Sequence, residues 1–121
     1  MTKILLVEDD DVVARVAIWR LEKLGYEVCG RAINSAEAVK LATEKNPDLI
    51  LMDIKLSGDD DGITTAGMVK KVSKAQLIYI TSQRDDETVI RAAETQPAGY
   101  ILKPFEDKDL KIAIEIALRK K

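Results

Sequence analysis

The sequence predicts an α/β domain built on one parallel sheet, and three observations predict it. Short apolar runs recur along the chain, segments of helical periodicity lie between them, and the two kinds alternate strictly. Alternation of this kind needs crossover connections, which leave parallel strands in one sheet with helices on both faces.

The elements follow in order. Residues 4–7 (ILLV) form the first apolar run, continuous because a parallel strand is covered on both faces. Val13, Val16, Ala17, Leu21 and Leu24 then fall at steps of three and four, the spacing of a buried helical stripe, and Gly25 ends that helix. Residues 26–33 make a weaker, mixed strand. Asn34 and Ser35 open the second helix with Glu37 close behind, Ala38, Leu41 and Ala42 mark its stripe, and Asn46-Pro47 closes it. The third strand is 49–52, followed by a helix opened at Asp61-Gly62 with Ile63, Ala66 and Val69 in register. The fourth strand is 77–80, and Asp85-Asp86 opens a helix carrying Val89, Ala92 and Ala93. A short fifth strand, 100–102, precedes a last helix with Leu110, Ala113, Ile114, Ala117 and Leu118. Ile112 and Ile116 lie off that stripe and mark a candidate partner or dimer surface. The basic end, Arg119, Lys120 and Lys121, complements a helix C-terminus.

Composition narrows the function classes. The 121 residues suit one compact domain spanning 1–121. A formal charge of -2 offers no general attraction to nucleic acid or to an anionic membrane. Cys29 is the single cysteine, so no intrachain disulfide forms, and the 4–7 run is too short for a signal peptide or membrane span; a cytoplasmic protein is expected. The absence of histidine excludes imidazole acid–base chemistry and histidine metal ligands.

What chemistry remains must use carboxylates, hydroxyls and lysine, and in an open α/β sheet it belongs outside the carboxyl ends of the strands. Glu8, Asp9 and Asp10 end the first strand, Asp53 the third, Thr81 and Ser82 the fourth, and Lys103-Pro104 the fifth. Acids at strand ends are commonly solvated or cap helices, and Asp10, Asp11, Asp59 and Asp60 are read that way. Glu8, Asp9 and Asp53 together make sense around a hard cation, and magnesium (Mg2+), with its oxygen ligands and its partnership with phosphate, fits them. Asp53, on the end of an apolar strand, is placed to act as a nucleophile forming an aspartyl phosphate. Lys103 and Thr81 would supply a charge and a hydrogen-bond donor to the transferred group.

The segments ILLVEDD (4–10), LMDIKL (51–56), ITS (80–82) and GYILKPF (99–105) resemble the receiver domain of two-component response regulators across the whole chain. The resemblance implies a flavodoxin-like (βα)5 fold with strand order 2-1-3-4-5 and a cis Lys103–Pro104 bond. It assigns Asp53 as phosphoacceptor, Glu8 and Asp9 as the acidic pair with Asp9 a direct magnesium ligand, and the Lys55 carbonyl as a further magnesium ligand. It makes Thr81 and Lys103 the phosphoryl-binding residues and Tyr100 the aromatic that changes rotamer. It implies a switch that promotes its own phosphorylation and dephosphorylation and is no turnover enzyme. Its partners would be a sensor histidine kinase or phosphotransfer protein and a downstream protein target, bound through the fourth helix, fifth strand and fifth helix. Here the loop after Asp53 is one residue longer than the commonest receiver pattern and lacks its usual proline. Lys55 and Gln83 stand where the family tunes dephosphorylation.

Three other readings differ in what they require. A flavodoxin-like cofactor binder needs a phosphate cradle after the first strand, where this chain has acids. A magnesium-dependent phosphatase needs a cap over its substrate, and no insertion provides one. A receiver forming part of a larger regulator shares every feature above.

Overall fold

The computed structural model describes residues 1–120. Five strands alternate with five helices: β1 (Lys3–Val7), α1 (Asp11–Lys23), β2 (Glu27–Ala32), α2 (Ser35–Lys45), β3 (Leu49–Asp53), α3 (Gly62–Lys70), β4 (Gln76–Thr81), α4 (Asp86–Glu94), β5 (Gly99–Leu102) and α5 (Asp107–Leu118). The strands form one parallel sheet in the order β2-β1-β3-β4-β5. This is the flavodoxin-like arrangement, and the strand order reverses beside β1, between β1 and β3. No helix among the described residues is long and apolar enough to cross a membrane.

Side chains alternate across the sheet, so each central strand feeds two cores. Leu5, Val7, Ile50, Met52, Leu77 and Tyr79 pack with Ala38, Ala42, Ile63, Ala66, Val69 and Ala92 from α2, α3 and α4. Ile4, Leu6, Leu49, Leu51, Ile78 and Ile80 pack with Ala14 and Leu21 of α1 and Leu110, Ile114 and Ala117 of α5. Register sets the functional edge: Val7 pairs with Met52, Asp53 with Ile80, and Thr81 with Leu102. The residues that end these strands therefore emerge side by side.

Helix boundaries follow local chemistry. Asp10 caps α1, its Oδ1 accepting from the Val12 and Val13 amides at 2.9 and 3.0 Å. Asn34, Asp61 and Asp85 do the same for α2, α3 and α4. Gly25 at φ 96° and Asn46 at φ 47° adopt the left-handed backbone that ends α1 and α2. Arg119 caps α5 and donates to the Glu115 carbonyl; Lys121 lies outside the described residues.

Two helical stripes turn out differently from the sequence expectation. Val13 and Val16 are exposed, and α1 covers the core with Ala14, Ala17, Ile18, Leu21 and Leu24. Val12, Val13, Val16 and the buried set each keep helical spacing, so periodicity alone does not say which one faces the sheet. In α4, Val89 and Ala93 are exposed and Ala92 is the buried residue. The C-terminal end of α4 is tied down by polar contacts: the Tyr79 hydroxyl lies 2.6 Å from Thr95 Oγ1, which in turn donates to the Ala92 carbonyl, and Lys70 Nζ donates to the Thr95 and Gln96 carbonyls. Ile112 and Ile116 are exposed on α5, as the sequence suggests.

Candidate functional site

β1 and β3 deliver the acids. Glu8 directly follows β1 and Asp53 is the last residue of β3; both are buried, at 5% and 8% exposure. Asp9 is half-buried at the mouth. One carboxylate oxygen from each of Glu8, Asp9 and Asp53 lies within 4.8 Å of the others. The loop carrying the pair is held from β2, where Arg31 donates Nε to the Glu8 carbonyl at 2.8 Å and Nη1 to Asp11 at 2.7 Å.

Around this triad stand the other expected residues. Lys103 Nζ, just past β5, sits 3.5 Å from Glu8 Oε1 and 3.4 Å from Asp53 Oδ2, between the two acids. The Lys103–Pro104 bond is cis, as the resemblance implies. The Lys55 amide donates to Asp53 Oδ1 at 3.2 Å. Thr81 is fully buried at the end of β4, and its Oγ1 accepts from the Gln83 amide at 3.1 Å. Tyr100, on β5, donates its hydroxyl to the Gln83 carbonyl at 2.8 Å, so one residue links Thr81 to Tyr100. The Tyr100 ring also meets Tyr79 edge-on, with centroids 6.1 Å apart.

Two further residues bear on the site without any sign of it in the sequence. Ser57 donates both its amide, at 2.8 Å, and its hydroxyl to Asp9 Oδ2. Gly62 opens α3 hard against the back of Asp53: a Cβ there would stand 1.9 Å from the Asp53 carbonyl oxygen and 2.7 Å from Ile54 Cα. Ser57 looks like any loop serine, and Gly62 reads as a helix opening.

The electrostatics favour a cation. Burial first, and the neighbouring Asp53 carboxylate second, push Glu8 up from 4.5 to about 7. The Ser57 hydroxyl, chiefly, holds Asp9 below the usual carboxylate range. Crowded, mostly buried, all-oxygen donors with one carboxyl that ionises reluctantly fit a hard divalent cation, which would remove the repulsion. Without one, the folded chain keeps a proton on Glu8 between pH 4.5 and about 7 that the unfolded chain has already released. Stability in chelator should therefore fall as pH rises through that window, by about 2–3 kcal/mol, because each tenfold difference in proton affinity between the folded and unfolded chain is worth about 1.4 kcal/mol. Urea unfolding from pH 4.5 to 8 checks this; Glu8→Gln should flatten the curve, and a wild-type curve that is flat or rising would contradict the assignment.

Comparisons with known proteins agree with this fold. Residues 4–115 match the family model described as response regulator receiver domain. The chain is 34% identical over 116 residues to the transcriptional regulatory protein PdtaR of Mycobacterium tuberculosis, an alignment covering 96% of this chain and 56% of that protein. It is 35% identical over 118 residues to the phyllosphere-induced regulator PhyR of Methylorubrum extorquens, covering 97% and 43%. The chain thus spans about half the length of the curated relatives it matches. Among solved structures, the signal receiver domain of a modulated diguanylate cyclase from Desulfovibrio desulfuricans superposes with a TM-score of 0.91 at 39% identity, covering 98% of this chain and 94% of that one.

Proposed function

The chain belongs to the response regulator receiver domain family, and from that premise we propose that Asp53 accepts a phosphoryl group in a magnesium-dependent reaction that switches the surface around Tyr100. Receiver domains are signalling modules of two-component systems that interact with histidine kinases, and are not turnover enzymes. The observation that carries the reading is the meeting of Glu8, Asp9 and Asp53 within 4.8 Å at the carboxyl edge of the sheet, with Lys103 between Glu8 and Asp53.

In the proposed step an Asp53 carboxylate oxygen attacks phosphorus, the bond from phosphorus to the donor breaks, and the donor leaves with the electron pair. The donor would be a phosphohistidine on a sensor kinase or phosphotransfer protein, as is usual for the family; this chain itself has no histidine. Magnesium, which Glu8, Asp9, Asp53 and the Lys55 carbonyl would hold, supplies positive charge to the phosphoryl oxygens when bound. Lys103, already 3.4 Å from Asp53, pairs with the new phosphate. Thr81 turns its hydroxyl toward it. That motion releases the Gln83 amide, and because the Gln83 carbonyl accepts from Tyr100, the change passes to β5 and α4. Phosphorylation adds about 1.5 to 2 negative charges at this edge, the driving force for the rearrangement.

The responding surface comprises α4, β5 and α5, where Val89, Ile90, Ile112 and Ile116 are exposed. It suits a protein target or a second copy of the chain. Because the curated relatives run to roughly twice this length, a receiver joined to an output segment is the second reading, and the same surface would serve it. The cytoplasm, where phosphodonor kinases present their histidines, is the proposed compartment.

Incubation with acetyl phosphate followed by intact mass measurement tests the proposal. A single phosphoryl adduct is expected with magnesium and none with chelator. An adduct that forms equally in chelator would count against the metal, and no adduct under any condition would count against the acceptor.

A further inference from the structure

We propose that Ser57 is a positioning residue for the divalent cation, holding Asp9 inside the acidic triad before the ion arrives. The inference rests on the magnesium reading above and adds a residue on a loop that none of the strand ends supplies.

Three carboxylates within 4.8 Å repel one another, and the one free to swing away is the one least enclosed. Glu8 and Asp53 are buried, whereas Asp9 is half-buried at the mouth. Restraint on Asp9 therefore has to come from a specific contact, and Ser57 makes it twice over. Its amide donates to Asp9 Oδ2 at 2.8 Å and its hydroxyl donates to the same oxygen. Both Ser57 contacts fall on a single oxygen of Asp9, Oδ2, so the clamp engages one side of the carboxylate. Gly58 follows at φ 102°, a left-handed turn that lets the loop bend away immediately after the contact. Farther along, the loop is anchored on α2, where Ser35 donates its hydroxyl to Asp60 at 2.9 Å. A hydrogen bond to the carboxylate oxygen not bound to metal fixes a ligand's orientation and strengthens binding without touching the ion.

Isothermal titration of Mg2+ into the full chain, repeated by electron paramagnetic resonance with Mn2+, tests the proposal. Ser57→Ala removes the hydroxyl and keeps the amide, so the dissociation constant should rise about three- to tenfold, less than for loss of the whole clamp. Ser57→Thr should restore binding to near wild type. In an Asp9→Asn background Ser57→Ala should have little further effect, a non-additivity that a general loosening of the loop would not produce. Urea unfolding of Ser57→Ala in chelator should remain a single cooperative transition, only slightly earlier than wild type because one hydrogen bond to Asp9 is gone, showing that the fold is intact. Wild type and Ser57→Ala binding the ion equally, or the variant binding more tightly, would overturn the clamp alone. A wild type that binds neither ion would overturn the magnesium reading and this inference together.

Discussion

Asp53→Asn is expected to abolish the phosphoryl adduct while leaving the fold at least as stable as wild type. The first half follows from chemistry: an amide oxygen is a poor nucleophile, and no other carboxylate shares Asp53's place between the Lys55 amide and the Lys103 ammonium. Glu8 is the nearest substitute, but its carboxyl is driven toward the protonated form by burial and by Asp53 itself. The second half follows from repulsion. Removing the Asp53 charge relieves Glu8, so in chelator at pH 7.5 the variant should unfold at an equal or higher urea concentration, by roughly 1 kcal/mol if the Glu8 carboxyl becomes about tenfold more acidic. Lys103 keeps Glu8 as an ion-pair partner at 3.5 Å. Intact mass after acetyl phosphate treatment and urea titration on the same preparation read both halves. An adduct on the variant at the wild-type level would remove Asp53 from the mechanism.

Gly62→Ala should be the most disruptive single-methyl change near the site. The added Cβ would meet the Asp53 carbonyl oxygen at 1.9 Å, Ile54 Cα at 2.7 Å and the Asp53 carbonyl carbon at 2.8 Å, all backbone atoms that no rotamer change can move. The Gly62 amide also donates to the Ile54 carbonyl at 2.7 Å, so relief of the clash breaks a hydrogen bond. Overpacking against fixed backbone should cost at least about 3 kcal/mol. Since α3 begins at this residue, whatever survives folding should carry a displaced Asp53, and if Asp53 is the acceptor a misplacement near 1 Å should cost about a hundredfold in rate. Chemical denaturation and time-resolved adduct formation measure the two effects; a variant within about 0.5 kcal/mol of wild type would show that the contact is softer than the geometry indicates.

How much is legible in the sequence depends on how enclosed each element is. β1, β3 and β4 lie inside the sheet with helices over both faces, so ILLV, LILM and LIYI stand out as unbroken apolar runs. β2 is an edge strand whose residues 27–31 remain partly exposed, and its sequence, EVCGRA, is correspondingly mixed. The α1 stripe departs from expectation because its valines and its buried residues share one period, and only the packed sheet decides between them. At the site, Asp53, Thr81 and Lys103 are legible because parallel register brings strand ends together, a property of topology. Ser57 and Gly62 are not, because one acts through a loop fold that spacing does not specify and the other through the absence of a side chain.

The way α4 is attached has an energetic meaning. Its one buried residue is an alanine, and its firmest ties, from Tyr79 and Lys70, gather at Thr95 and Gln96 beyond its last turn. Along its length Arg91 adds a partly exposed ion pair to Asp61 Oδ2 at 3.1 Å, a contact that holds far less than buried packing does. Moving its N-terminal end, which follows the Gln83 loop hydrogen-bonded to both Thr81 and Tyr100, would undo little packing, and under the proposed switch a modest local event at the sheet edge would suffice for it.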